Sequence, residues 1–157
     1  STLMGLGAYP ANDKQWLGML GMHGTFEANW SMHDCDVMIC IGARFDDRVT
    51  GRVDAFSPNS MKIHVDIDPS SINKNIAVDI PIVSDAASAL KAMLEVWKAR
   101  NYKTDQESLQ QWWKQIGGWR AKNCLAYKKD SKVIKPQYAL ERLRDAMAKD
   151  PRDGYIT

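Results

Sequence analysis

The residues of this chain best suited to chemistry are 42–51, Gly-Ala-Arg-Phe-Asp-Asp-Arg-Val-Thr-Gly, which directly follow the apolar run 37–41. Two carboxylates and two guanidiniums this close together cannot lie in a core without partners. In a chain that alternates strands and helices, ligands tend to bind where a buried strand ends. The 42–51 loop is therefore a candidate binding site.

Acidic residues also follow two further predicted strands. Asp66 ends the strand 61–66, and Asp85 follows the strand 80–83. In a parallel sheet these ends share one edge with the loop, and an acidic residue at a strand end binds ribose hydroxyls in dinucleotide sites. Alternatively, Asp66 and Asp68 are turn residues and Asp85 is a simple helix cap. The spacing favours neither interpretation.

The two arginines of the loop have two possible roles. Arg44 and Arg48 could face a pyrophosphate, since a guanidinium matches oxyanions in a fork geometry. They could equally pair with Asp46 and Asp47 to hold the loop. No GxGxxG follows a strand, so a conventional dehydrogenase is not indicated.

The 18–24 loop, Gly-Met-Leu-Gly-Met-His-Gly, is the second unusual segment. Its glycines and methionines give a pliable, polarizable surface on which a flat aromatic cofactor could lie. A Met-rich core turn is the alternative. His23, His33 and His64 are too scattered for a metal site, and we expect His64 to be a structural histidine with satisfied hydrogen bonds. No nucleophilic triad or metal site is predicted.

These segments need a parallel sheet to position them. Strands are predicted at 36–41, 61–66 and 80–83, and connections of this length require parallel pairing with right-handed crossovers. The almost continuous apolar run of the first strand predicts burial on both faces. The expected fold class is α/β, part of a doubly wound parallel sheet with linker helices.

Helical patterns separate and follow the strands. Thr25 is expected to cap a helix over 25–33, and Asp85 is expected to cap the clearest helix, whose apolar stripe should face the sheet. That stripe comprises Ala86, Ala89, Leu90, Met93, Leu94 and Trp97.

A further helix is predicted over 106–127, with a kink or close packing at Gly117 and Gly118. Its tryptophans, at 112, 113 and 119, are expected to make core and domain contacts. Pro136 should open a last helix over 137–148, followed by a strand around Tyr155. Its inward residues are expected to be Ala139, Leu140, Leu143 and Met147.

Composition narrows the classes of function. The 157 residues carry a net charge of +2, from 21 basic and 19 acidic residues, too balanced for a nucleic-acid footprint. Three cysteines without metal-ligand spacing fit a reducing compartment. No apolar run is long enough to cross a bilayer and no signal peptide opens the chain. We expect a soluble, intracellular protein, and both ends read as cut from something longer.

Four motifs in register resemble one family. Residues 4–10, 18–25, 42–51 and 64–69 are closely similar to the acetohydroxyacid synthase (acetolactate synthase) large catalytic subunits of the thiamine-diphosphate enzymes. Lys-Pro-Gln at 135–137 fits the same family. The resemblance spans essentially the whole chain. It implies a central FAD-binding domain over 1–100, a linker with a Trp-rich helix over 101–132 and the start of a thiamine-diphosphate-binding domain over 133–157.

The resemblance also implies site residues. Met22, Asp47 and Arg48 match family positions that line the substrate-access channel, where herbicides bind. The implied FAD contacts are Thr2, Leu3, Leu20, Gly21, Met22, His23, Gly42, Ala43, Arg44, Phe45, Asp46, Asp66, Ile67, Asp85 and Ala86.

The implied reaction joins two pyruvates, or pyruvate and 2-oxobutyrate, with decarboxylation, in branched-chain amino-acid biosynthesis. Thiamine diphosphate carries the chemistry, with Mg²⁺, and FAD is structural in the main reaction. The activating glutamate and the Gly-Asp-Gly motif are expected outside this sequence, so no catalytic or metal-binding residue is predicted within it and the isolated chain should be inactive.

The implied partners are a homodimer or homotetramer and a regulatory small subunit, without nucleic acid or membrane. The expected location is the bacterial cytoplasm, or an organelle in a eukaryote. Alternatives are a related enzyme of the glyoxylate carboligase or pyruvate oxidase type, or a non-catalytic nucleotide-binding module.

Overall fold

Three parallel strands form the centre of the chain in a computed structural model, which describes residues 1–129 and 132–149. They are β1 (Val37–Ile41), β2 (Met61–Asp66) and β3 (Ile80–Val83), in the order β1-β2-β3. Both pairings are parallel, and Cys40 lies opposite His64, which in turn lies opposite Pro81. The predicted α/β class and parallel sheet are confirmed.

Five α-helices accompany the strands within the described residues. They are α1 (Phe26–Asp34), α2 (Asp47–Thr50), α3 (Ala86–Ala99), α4 (Gln106–Arg120) and α5 (Pro136–Met147). Short 3₁₀ turns occur at Leu3–Gly5, Val53–Ala55 and Pro69–Ser71. None of these helices has the length and apolar character that crossing a membrane requires.

The predicted helix caps are present. The Thr25 hydroxyl accepts a hydrogen bond from the Ala28 N–H at 3.3 Å, and the Asp85 carboxylate accepts one from the Ser88 N–H at 3.0 Å. Each satisfies a backbone donor that the first turn of a helix leaves without a partner. The starts of α1 and α3 are therefore encoded locally.

The chain divides into two compact units, 1–122 and 123–157. In the second, the Tyr127 hydroxyl donates to the Glu141 carboxylate on α5 at 2.7 Å. Burial, together with this hydrogen bond, raises the pKa of Tyr127 to about 12. The domain boundaries given above stay predictions. The strand expected around Tyr155 lies outside the described residues.

The buried core of the first unit is small. It contains Phe45, Phe56 and Ile76, each 5–6% exposed, and Val65 at 1%. Phe45 belongs to the 42–51 loop, so this loop is anchored in the core by its own side chain.

The expected burial of β1 on both faces is wrong. Val37, Ile39 and Ile41 are 37–48% exposed, because β1 is an edge strand and no described element covers their side of it. The stripe of α3 is also only partly buried: Ala89 is 7% exposed, whereas Leu90, Leu94 and Trp97 are about half exposed.

On α5 the residues expected to point inward are largely exposed as well. Ala139, Leu140 and Leu143 are exposed and Met147 is half-buried, because the described part of the second unit offers no second layer for α5 to pack against. Periodicity gives the apolar side of a helix, but it does not supply the layer that covers that side.

The fourth helix is shorter than predicted. It ends at Arg120 rather than at 127, and the chain then turns through Asn123, whose φ of +47° is incompatible with a helix. The close packing expected at Gly117 and Gly118 is also wrong, since a Cβ at either position would meet no atom within 4 Å.

The tryptophans of α4 make the expected packing contacts. The Trp119 ring stacks on Trp30 of α1 at 6.3 Å between centroids and meets Trp112 edge-on at 5.6 Å. The Arg120 guanidinium donates to the carbonyl oxygens of Lys14 and Trp16, both at 2.8 Å. Helix α4 therefore holds α1 and the segment before it.

Candidate functional site

The ends of the three strands meet at one edge of the sheet. The Gly42 N–H donates to the Val65 carbonyl at 2.8 Å, and the Ser84 N–H donates to the Asp66 carbonyl at 3.0 Å. These bonds extend the ladder by one step beyond each strand. The residues that follow β1, β2 and β3 are therefore neighbours, as parallel pairing predicts.

The 42–51 loop is held by the Phe45 side chain. This ring packs edge-on against Phe56 and His64, at centroid distances of 5.7 and 5.0 Å. The Phe45 backbone has a φ of +54°, a left-handed conformation that costs a non-glycine residue free energy. Buried packing of the ring compensates for this strain, so Phe45 can offer a ligand its backbone but not its side chain.

The charges of the loop are divided between two roles. The Arg44 guanidinium pairs with the Asp46 carboxylate at 2.8 Å, an exposed ion pair that adds about 0–1 kcal/mol. The Asp47 carboxylate accepts the Arg48 N–H at 2.9 Å. Throughout residues 1–129 and 132–149 no carboxylate pairs with the Arg48 guanidinium. Loop-holding thus accounts for Arg44, whereas the exposed Arg48 can bind an anion.

The 18–24 loop lies directly against the 42–51 loop. The Met22 N–H donates to the Arg48 carbonyl at 2.8 Å. Gly21 has a φ of +103°, and a Cβ there would clash with the Arg48 carbonyl oxygen, so only glycine allows this approach. Met22, at 61% exposure, and His23 point outward beside Arg48. The three residues predicted to line a substrate channel, Met22, Asp47 and Arg48, are thereby brought together.

Asn29 of α1 is a site-supporting residue that the sequence analysis missed. Its Oδ1 accepts the Gly21 N–H and its Nδ2 donates to the Gly21 carbonyl, both at 2.9 Å. This pair of bonds fixes the peptide next to Met22. The available signal was an asparagine within the first turns of a helix, where low helix propensity requires another reason for its presence.

The first residues of the chain lie beside the 18–24 loop. The Ser1 amino group donates to the Gly18 carbonyl at 3.0 Å, and the Leu20 N–H donates to the Ser1 carbonyl at 2.9 Å. Thr2 and Leu3 follow immediately, and Leu3 is 66% exposed. The predicted contacts Thr2, Leu3 and Leu20 therefore belong to one stretch of surface.

Asp66 and Asp85 present different chemistry at the sheet edge. Asp66 is only 8% exposed, and its Oδ1 accepts the Asp68 N–H at 2.8 Å, which leaves Oδ2 for another donor. Hydrogen bonds from Ser88 hold the pKa of Asp85 below its usual range. Because the Asp85 carboxylate already occupies the start of α3, a second anion is disfavoured there. Ala86 and the 71% exposed Ile67 flank the two carboxylates.

His64 is not the satisfied histidine that we expected. Its ring is completely buried, and neither ring nitrogen has a hydrogen-bond partner. Its Nε2 lies 3.9 Å from Oδ2 of the Asp66 carboxylate, which is beyond hydrogen-bond distance. A buried donor without a partner is costly, so the position of this ring requires an explanation.

Cys40 does not offer a nucleophile. Its thiol donates to the Ala43 carbonyl at 3.1 Å, and burial raises its pKa to about 11. A neutral thiol is a poor nucleophile. Within the described residues no group of histidines, cysteines and carboxylates could hold a metal ion.

Residues 1–93 match the thiamine pyrophosphate enzyme, central domain, family. The chain belongs to this family. The matched range contains every segment of the sheet edge described above, from Ser1 to Ala86.

Curated relatives of the chain carry more specific names. It is 52% identical over 141 residues to the acetolactate synthase large subunit of Haemophilus influenzae, covering 90% of this chain and 24% of the relative. It is 49% identical over 142 residues to the acetolactate synthase isozyme 3 large subunit of Escherichia coli, covering 90% and 25%. The chain thus spans about a quarter of the length of the curated relatives it matches.

Proposed function

We propose that this chain is the FAD-binding part of an acetolactate synthase large subunit, which condenses pyruvate with a second 2-oxo acid. The observation that carries this proposal is a series of backbone hydrogen bonds. It joins Ser1 to the 18–24 loop, that loop to α2, the 42–51 loop to β2, and β2 to the residues after β3. Every segment proposed to contact FAD lies on this series.

The residues present fit the proposed cofactor. Asp66 keeps one carboxylate oxygen for a ribose hydroxyl. Gly42, with a φ of +65°, is exposed and has no atom within 4 Å of its Cβ position, so its backbone is open to a ligand. Arg48 is the cation for an anionic group, and Met22 offers an apolar surface beside it. The other proposed FAD contacts are those that the family resemblance gives.

In this proposal, the chain binds and positions, and the carbon–carbon bond-forming chemistry belongs to thiamine diphosphate with Mg²⁺. Residues that hold these two groups are proposed to lie outside this sequence. Met22, Asp47 and Arg48 would line the route of the 2-oxo acid. Because these relatives are named large subunits, the proposed enzyme is an oligomer with a partner small subunit. The proposed location is the cytoplasm of a bacterium.

Titration of the purified chain with FAD tests the binding proposal. We expect quenching of flavin fluorescence with a single-site isotherm, and about tenfold weaker binding for Asp66→Asn, which removes the charge that holds a ribose hydroxyl. Asp54→Asn is the matched control, because Asp54 is an exposed carboxylate paired with Arg52 and makes no bond at the sheet edge. A folded chain that leaves flavin fluorescence unchanged would contradict the proposal.

A hybrid enzyme tests the catalytic part. We expect acetolactate formation when this chain replaces the matching segment of the Haemophilus influenzae large subunit, and none from the chain alone. Arg48→Ala in the hybrid should raise KM for pyruvate, with Arg52→Ala as the exposed arginine control. A hybrid that folds and binds FAD but uses a different 2-oxo acid would instead favour a neighbouring carboligase.

A further inference from the structure

His64 lies between two parts of the proposed FAD site, the 42–51 loop and Asp66 at the end of β2. On one side its ring meets Phe45, the anchor of the 42–51 loop, edge-on at 5.0 Å between centroids. On the other side its Nε2 lies 3.9 Å from Oδ2 of Asp66. Because the ring is fully buried, a ligand cannot contact it. An effect of His64 on binding must therefore pass through its neighbours, of which Phe45 and Asp66 belong to the proposed FAD site.

The distance between His64 and Asp66 is informative. At 3.9 Å the two atoms are too far apart for a hydrogen bond and too close to share a bridging water. The Asp66 carboxylate is held at Oδ1 by the Asp68 N–H at 2.8 Å, so it can pivot about that bond. A small rotation would bring Oδ2 within reach of Nε2. Both partners are at least nine-tenths buried, so water does not compete for this bond.

We propose that His64 is a positioning residue for the ribose of the cofactor. Its Nε2–H donates to Oδ2 of Asp66 when a ribose hydroxyl engages that carboxylate, and its ring keeps Phe45 in place. A carboxylate accepts several hydrogen bonds at once, so Asp66 can hold His64, Asp68 and the hydroxyl together. This inference rests on the proposed FAD site and extends it to a residue that no ligand reaches.

The buried imidazole has no hydrogen-bond partner, and its Nε2 lies 3.9 Å from Oδ2 of Asp66, an acceptor that a small rotation of the Asp66 side chain would bring within reach. A phenylalanine would fill the same space and still pack against Phe45. The ring thus has two separable roles: packing, which phenylalanine retains, and hydrogen-bond donation, which phenylalanine loses.

Substitutions at His64 test the donation. His64→Phe should bind ADP about tenfold more weakly than the unchanged chain does. For 2′,3′-dideoxy-ADP, which lacks the ribose hydroxyls, the variant and the unchanged chain should have the same affinity. His64→Gln places an amide N–H near the Nε2 position and should recover most of the affinity. His64→Asn places it near Nδ1 and should not. Far-UV circular dichroism and unfolding midpoints verify that each variant folds.

A spectroscopic measurement covers the case in which His64→Phe does not fold. Nitrogen-15 NMR of the unchanged chain should show His64 protonated at Nε2 and its Nε2 resonance shifted when ADP binds, the resonance being assigned by its loss in His64→Gln. An Nε2 without a proton in the ADP complex overturns the proposal.

The remaining outcomes separate the two proposals. Equal losses of affinity for ADP and dideoxy-ADP, or no loss for His64→Phe, would make His64 purely structural while leaving the FAD site intact. If the unchanged chain binds neither FAD nor ADP, the FAD site fails and the role of His64 fails with it.

Discussion

The same three strands give rise to two very different regions, the loop edge where the strands end and the open apolar face of β1. At the edge, every proposed contact segment is tied to its neighbour by a backbone hydrogen bond of 2.8–3.0 Å. On the face, Val37, Ile39 and Ile41 are 37–48% exposed. Positions at the edge are set by bonds between adjacent segments, whereas burial of the face needs a further layer. The edge is therefore organised by this chain alone, and the face is not.

Removing the anchor of the edge should have the largest effect on stability. Phe45→Ala removes a 5% exposed ring, and we expect it to lower the free energy of unfolding by about 3–5 kcal/mol. Urea unfolding measures the change. Leu90→Ala on the half-exposed stripe of α3 is the control, with an expected cost below about 1.5 kcal/mol. Similar costs for the two variants would mean that the edge and the apolar surface are equally well packed.

The reactivity of Cys40 reports on the same anchor. A shift of its pKa from 9.0 to about 11 leaves about a hundredfold less thiolate at pH 8, equivalent to about 2.7 kcal/mol. In a variant that keeps Cys40 alone, alkylation should be about a hundredfold slower in the folded chain than in urea. Because the folded pKa is raised, stability should also fall as pH rises from about 9 to 11. Equal alkylation rates in both states would show that the thiol beside the 42–51 loop is open.

Two glycines allow the steric cost of a side chain to be measured apart from the cost of a positive φ. Gly21 and Gly7 have similar φ values, +103° and +91°, yet only Gly21 has an atom within 4 Å of its Cβ position, the Arg48 carbonyl oxygen being the nearest. Gly21→Ala should cost about 2 kcal/mol more than Gly7→Ala, because the two loops must move apart. Thermal unfolding of both variants measures this difference. Equal costs would mean that Gly21 does not lie against the Arg48 carbonyl.

The strands could be predicted because β1 and β3 are short apolar runs and β2 alternates apolar and polar residues. The caps at Thr25 and Asp85 could be predicted because each cap is local. The arrangement of the edge followed from parallel pairing. What could not be predicted depends on the three-dimensional packing. Asn29 of α1 bonds the Gly21 backbone in the preceding loop. The ring nitrogens of His64 are buried without a hydrogen-bond partner.

Burial was mispredicted for a different reason. A continuous apolar run indicates that a strand can be covered on both faces, but coverage is a property of the neighbouring layer and not of the strand itself. For β1 that layer is not among the described residues. The same reasoning applies to α5, whose apolar side is well defined by its sequence and yet exposed. The sequence pattern shows which side of an element is apolar, and the topology of the fold determines whether another element covers that side.

A substitution on the open face should have the smallest effect. Ile39→Thr keeps a β-branched residue in the strand, and because Ile39 is 48% exposed we expect a change in unfolding free energy within about 1 kcal/mol. The register places Ile39 opposite Ile63, which lies opposite Ile80, so the substitution introduces one hydroxyl into this apolar row without changing Phe45 or Asp66. FAD affinity should stay unchanged, while self-association in sedimentation velocity should decrease, since exposed apolar rows promote it. A decrease of several kcal/mol in the free energy of unfolding would instead mean that Ile39 is buried in solution. The apolar face of β1 would then be covered, unlike the face seen in this structure.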